Sequence, residues 1–245
     1  DTGSGAQIAV AWNSKAKNFL FAWHNFNSSE FSLPNFIGRI VQPDGTVIGS
    51  EIDLIPDVSP YFGPGPLSLA YSTKSDHFLL AARVDDSTRT QLLDGQGSPI
   101  GSSVDLVGGE YAPTVAYNTS RDEFGVATES YDAVSDSSPV NIHRVDASDG
   151  SPVGDWEVPA PSGFLGAGNR PRLASAPCSD EYFVAAAGSE SGGSSGIYGY
   201  RVKGDLSGPL GSLYYLSSGQ SDFSSRVNAT YNEYANEYWT GWAGA

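Results

Sequence analysis

Methionine is absent from the 245 residues, cysteine occurs once and histidine three times. The lone Cys178 excludes an intrachain disulfide framework. His24, His77 and His143 show no HxH or HxxxH spacing, so no zinc centre is expected. Positive charge is scarce too: 13 Lys and Arg stand against 28 Asp and Glu, a formal net charge of −15. Such a surface repels nucleic acid and anionic lipid, whose recognition needs clustered Lys and Arg. No stretch approaches the ~20 apolar residues that span a bilayer, and no P-loop occurs. A chain without Met is expected to be part of a longer or trimmed polypeptide.

What is present is a repeat. An apolar anchor is followed eight positions later by an aromatic one in Ala11/Phe19, Ala70/Phe78, Ala116/Phe124 and Ala174/Tyr182, and Thr230/Tyr238 keeps the same spacing. Self-similarity at a period of about 50 residues marks a repeat architecture. Each unit opens with alternating small and apolar residues, turns through Asn, Ser, Lys or Asp, and resumes with an aromatic and β-branched run. That pattern predicts a hairpin of strands A and B. Four units continue with a strand C at Arg39, Gln91, Arg144 or Arg201 and a strand D near Gly49, Gly101, Gly154 or Gly211, ten positions on each time. The turns between them, such as QPDGTVIG and ASDGSPVG, suit glycine at positive φ.

The fold expected is all-β: a β-propeller of four-stranded antiparallel blades, with four complete repeats and the inner half of a fifth. The single domain, 1–245, divides into blades at about 6–57, 58–108, 109–160 and 161–219, with a partial blade at 220–245. The A–B and C–D spacings are constant, whereas B–C and D–A vary. One rim is therefore expected to be uniform and the other individually tailored, and tailored loops on a rigid scaffold are where binding sits. The two-strand fifth unit leaves an open edge, which a neighbouring chain or segment is expected to complete. The pattern AYN…DEF.VA…RVD…GSPVG resembles the propeller repeats of secreted or surface bacterial proteins. EYWTGW is similar to YWTD-type blades, and five short blades resemble tachylectin-2-like lectins. The resemblance covers nearly the whole chain and implies an extracellular or cell-surface location.

From these features the leading expectation is a non-enzymatic binding or adhesion module, holding carbohydrate or protein on its variable rim. The rim residues expected to make contact are His24, Asn25, Phe26, Tyr61, Asp85, Asp86, Glu129, Tyr131, Asp132, Asn169, Arg170 and Glu190, since rings beside amides and carboxylates suit sugars and peptides. A structural subunit of a surface assembly is the first alternative. A propeller glycoside hydrolase is the second; it needs two converging carboxylates, and the A strands, as delimited by the repeat, carry no acid. No cofactor is expected, with a structural calcium ion at Asp85-Asp86 or along Asp132–Asp136 as the exception that hard oxygen ligands allow.

Overall fold

The computed structural model describes residues 8–24, 36–58, 66–85, 87–108, 110–130, 139–159, 164–165, 171–190, 195–220 and 227–242, and every regular element among them is a strand. Blade 1 comprises β1 (Ile8–Asn13), β2 (Asn18–His24), β3 (Phe36–Val41) and β4 (Val47–Asp53). Blade 2 comprises β5 (Leu67–Ser72), β6 (His77–Val84), β7 (Ser87–Leu93) and β8 (Val104–Gly108). Blade 3 holds β9 (Glu110–Asn118), β10 (Glu123–Ser130), β11 (Val140–Asp146) and β12 (Pro152–Val158). In blade 4, the two-residue β13 (Phe164–Leu165) and β14 (Arg172–Ala176) both pair with β15 (Glu181–Glu190), which is followed by β16 (Ser195–Lys203) and β17 (Tyr214–Gln220). The fifth sheet has two strands, β18 (Val227–Asn232) and β19 (Glu237–Trp242). All pairings are antiparallel and, apart from β13 with β15, join consecutive strands, and the first strands β1, β5, β9, β14 and β18 lie against one another in that order.

The hairpin that defines the repeat is built the same way five times. Four residues join the first two strands, and the last of them takes a positive φ: Lys17, Asp76, Asp122, Asp180 and Asn236. Asp and Asn tolerate this left-handed conformation better than other side chains bearing a Cβ. The anchor eight positions upstream of each aromatic is not its cross-strand partner. Phe19 instead faces Trp12, Phe78 faces Tyr71, Phe124 faces Tyr117 and Tyr238 faces Tyr231, with ring centroids 4.7 to 5.4 Å apart.

Alternation along the strands gives each blade two faces of different bulk. The leading face of blade 2 presents Leu67, Leu69, Tyr71, Phe78, Leu80 and Ala82, packed on Ala11, Leu20 and Ala22 of blade 1. Val115, Phe124 and Val126 pack in the same way on Leu79 and Ala81, and Leu173, Tyr182 and Val184 on Ala116 and Ala127. Val227 and Tyr238 close on Phe183 and Ala185. A bulky leading face thus meets the trailing face of the preceding blade at every seam, where Ala11, Ala22, Ala81, Ala116, Ala127 and Ala185 make room for it. Gly125 makes this explicit: a Cβ there would lie 2.6 Å from Cε1 of Tyr182 and 2.8 Å from Leu173.

The turn rim is stitched from blade to blade. Asp122 accepts hydrogen bonds from Ser72 Oγ (2.8 Å) and Ser75 Oγ (2.6 Å) of the preceding blade and from Tyr117 of its own. Asp180 receives the Arg121 guanidinium through two 2.8 Å bonds and Asn118 Nδ2 at 3.0 Å. The fourth seam uses a different link, Tyr238 OH to Glu181 Oε1 at 3.1 Å.

The constant ten residues from strand C anchor to strand D glycine conceal two registers. Arg39 and Gln91 lie opposite Phe21 and Leu80, whereas Arg144 and Arg201 lie opposite Gly125 and Phe183, one position earlier in their second strands. The C–D connection is one residue longer in blades 3 and 4: Val41 pairs with Val47 and Leu93 with Pro99, but Val145 with Pro152 and Val202 with Pro209. The side chains do different work accordingly. Arg39 bonds the Gly49 carbonyl of β4 and Gln91 the Ile100 carbonyl in the connection before β8, while Arg144 and Arg201 grip Glu123 and Glu181 through paired bonds of 2.6 to 3.2 Å.

Candidate functional site

The variable rim is where the second strand of each blade ends and the next first strand begins. At the last aligned position of the second strand the four full blades carry His24, Arg83, Glu129 and Ala187, so one structural place holds four chemistries. Two of them, Arg83 and Glu129, meet residues of the next blade's strands. The Arg83 guanidinium lies 4.4 Å from the centroid of the Tyr111 ring, and its Nε donates to the Asp85 carbonyl at 3.0 Å. Cation–π contact of this kind holds Arg83 of blade 2 against the inner strand of blade 3. Tyr111 is the register partner of Glu129 across β9 and β10, where a bulge between Ala127 and Glu129 bends the strand end. Beyond Glu129 stands Tyr198 of blade 4, buried to 5 % exposure. Its phenol is pushed above the ordinary tyrosine range by burial first, and then by the neighbouring Tyr200 and the Glu129 carboxylate. Arg83, Tyr111 and Glu129 are each half-buried. Next to Glu129, Ser130 Oγ accepts from Asn141 Nδ2 at 3.2 Å.

The residues expected on this rim fare unevenly. Glu129 lies half-buried next to the last residue of β10. Asp85 is exposed at positive φ in the two-residue connection after β6. His24 is buried within blade 1, edge-on to Phe36 at 5.2 Å, and is not presented on the surface. Glu190 ends β15 opposite Phe164, and its side chain lies outside the described residues. Asn25, Phe26, Tyr61, Asp86, Tyr131, Asp132, Asn169 and Arg170 also lie outside them. Sequence reasoning missed Arg83 and Tyr198; aligning the final residues of the second strands would have exposed the first. It also missed that β9 begins at Glu110, register partner of Ser130, so an inner strand does carry an acid at its rim end.

A second carboxylate pair stands on the outer edge of blade 1. Burial raises the Asp53 carboxyl above its usual range, a backbone bond at Ile55 opposing and Asp57 adding to the rise. Asp57 is held low: burial opposes, but bonds from the Ser103 hydroxyl (2.8 Å) and amide (3.1 Å) outweigh it. These bonds tie blade 1 to blade 2, and the pair adjoins the outermost strand β4. Among the described residues, no three His, Cys, Asp or Glu side chains are grouped to hold a metal. On the opposite side of the molecule, β9, β14 and β18 line an open groove of about 230 Å³ bordered by Tyr117, Ser175, Pro177, Thr230, Tyr231 and Glu233.

No protein-family model and no curated protein matches the chain. Solved structures do. A Penicillium chrysogenum α-L-arabinanase complexed with arabinobiose superposes with a TM-score of 0.64 at 14% identity, covering 96% of this chain and 73% of that one. An α-L-arabinofuranosidase from Fusarium graminearum gives 0.65 at 12% identity, covering 96% and 74%. The Dos1 propeller gives 0.51 at 14% identity, covering 96% and 66%. The fold is a β-propeller. An exo-β-1,3-galactanase from Phanerochaete chrysosporium with galactose is similar at 0.52 and 11% identity, and this chain spans about half of it, 52%. These neighbours overturn the expectation of a non-enzymatic binding or adhesion module. The arabinanase, the arabinofuranosidase and the galactanase are glycoside hydrolases.

Proposed function

We propose that the chain is a carbohydrate-acting propeller of the glycoside hydrolase kind, with its reactive centre on the variable rim of blades 2 to 4. The observation that carries this reading is the place of Glu129: half-buried, at the rim end of the inner hairpin, opposite Tyr111, whose ring lies under the Arg83 guanidinium. Glycoside hydrolysis uses two carboxyl groups, one protonating the leaving oxygen and the other acting on the sugar or on the attacking water. Glu129 takes one of these roles. The Tyr111 ring, held by Arg83, offers an apolar platform for a sugar face. Asn25, Phe26, Tyr61, Tyr131, Asn169 and Arg170 then extend the same rim as substrate contacts, and Asp85-Asp86 and Asp132 are where a calcium ion would be sought.

The single-domain division into five blades, the extracellular location and the kinship with tachylectin-2-like or YWTD-type blades rest on sequence motifs and enter here on the same footing. The test is incubation of the protein with arabinans, galactans and other plant and fungal polysaccharides, followed by reducing-end assay and product chromatography. Release of defined sugars, lost in Glu129→Gln, supports the reading. Absence of release from every substrate, or release that Glu129→Gln leaves intact, overturns it.

A further inference from the structure

The repeat sets an aromatic side chain at the turn end of the first strand, and one blade breaks that rule. The residue opposite the second-strand aromatic is Trp12 in blade 1, Tyr71 in blade 2, Tyr117 in blade 3 and Tyr231 in blade 5, but Ser175 in blade 4. In the other blades the two rings pack together, whereas Tyr182 faces only a hydroxymethyl group. In blades 2, 3 and 5 the phenol also ties its own hairpin together, donating its hydroxyl to the residue five positions on. Tyr71 reaches Asp76 at 2.5 Å, Tyr117 reaches Asp122 at 2.8 Å, and Tyr231 reaches Asn236. The next position departs as well. Asn13, Asn118 and Asn232 each accept from the amide two residues on, and Ala176 has no side-chain oxygen to do so.

The consequence of this break is the open groove of about 230 Å³ on the turn side. Blade 3 contributes Ala116 and Tyr117 to it, blade 4 Leu173 and Ser175, and blade 5 Thr230 and Tyr231. Ala70, which holds the place of Ala116 one blade earlier, packs in the same apolar cluster as Tyr117. The groove therefore lies where the repeat elsewhere seats a ring against the preceding blade, and Ser175 stops short of it.

We propose that this groove binds a small phenol, whose ring takes the place that Tyr71 and Tyr117 fill from within their own blades. Ala116 and Leu173 offer the ring apolar surface, and Tyr117 and Tyr231 offer aromatic edges and faces. The hydroxyl turns toward Asp180, which holds the place of Asp76 and Asp122 at the positive-φ end of the turn. Asp180 Oδ2 takes a bond from Arg121 at 2.8 Å, and a carboxylate oxygen can accept two. A sugar ring is the poorer match. Its hydroxyl-bearing perimeter would meet Ala116 and Leu173, which return no hydrogen bond.

The test is titration of the full chain with p-cresol, followed by amide and methyl NMR shifts and by intermolecular NOEs from the ring. The expected result is saturable binding, with shifts centred on residues 116–117, 173–175 and 230–231 and NOEs to the methyl groups of Ala116 and Leu173. The ether 4-methylanisole, which cannot donate a hydrogen bond, should bind about fivefold more weakly. Ser175→Tyr supplies the ring from the chain itself, and should abolish p-cresol binding while raising the melting temperature. If Ser175→Tyr does not fold, the NOEs in the native chain decide alone. No saturable binding, shifts centred elsewhere, equal affinity for 4-methylanisole, undiminished binding by folded Ser175→Tyr, or preference of the groove for methyl β-galactoside would each overturn the proposal.

Discussion

The two rims of this propeller are polar in different ways. On the turn rim every acid at positive φ is spent on structure: Asp122 takes hydrogen bonds from Ser72, Ser75 and Tyr117, and Asp180 takes the guanidinium of Arg121. On the variable rim the equivalent places hold His24, Arg83, Glu129 and Ala187, and Glu129 lies half open. Repetition marks residues that hold blades together, because every seam must solve the same packing problem. Divergence at a repeated place marks residues that the scaffold does not need, and these are the ones left for chemistry.

The comparison is broken most severely by emptying a seam. Tyr182 is fully buried between blades 3 and 4, and Tyr182→Ala should cost about 3–5 kcal/mol, the range for removing a large buried ring. Urea denaturation with an unchanged midpoint would refute the seam as the source of stability. Overfilling the same place is milder. Gly125→Ala sets a Cβ 2.6 Å from the Tyr182 ring, and a loss of about 1–3 kcal/mol is expected, read by the same measurement.

Asp122→Ala strips three donors of their acceptor, one of them on the fully buried Ser72, and should cost about 1–3 kcal/mol. Its pH signature sharpens the contrast between rims. Burial raises the Asp122 carboxyl, but bonds from Ser75, Tyr117 and Ser72 outweigh it and hold the folded-state value below the ordinary carboxylate range. The unfolded chain therefore takes up the proton first. The contribution is complete above the ordinary carboxylate value and is lost as pH falls through the depressed one. Acid titration of stability should be shallower in Asp122→Asn than in the native chain, and equal slopes would contradict the assignment. Smallest in stability is Glu129→Gln, expected within about 0.5 kcal/mol of the native chain because the amide keeps the size and shape of a half-buried side chain.

Much of this was legible from residues alone. The period, the four-residue hairpin turns and the unlike rims follow from spacings that any blade must keep. Register was not legible: the interval Arg39 to Gly49 equals Arg144 to Gly154, yet a one-residue longer C–D connection moves the arginine to another face. Anchors counted by residue type cannot detect a shift that exactly compensates in length. Glu110 was missed for a related reason, since the repeat begins its first strand later than β9 does. His24 was read as a rim residue because loops follow it, whereas packing against Phe36 draws it inward. The rim contacts of Glu129 cross from blade to blade, and no local pattern encodes a neighbour some 70 residues away such as Tyr198.

Hydrolysis assays run in parallel on the native chain, Glu129→Gln and Asp122→Asn test the division of labour between rims most directly. The account predicts sugar release by the native protein, a fall of about 100-fold or more in Glu129→Gln, and near-native rates for Asp122→Asn at neutral pH and moderate temperature. Equal rates in the native chain and Glu129→Gln, or a loss confined to Asp122→Asn, would contradict it.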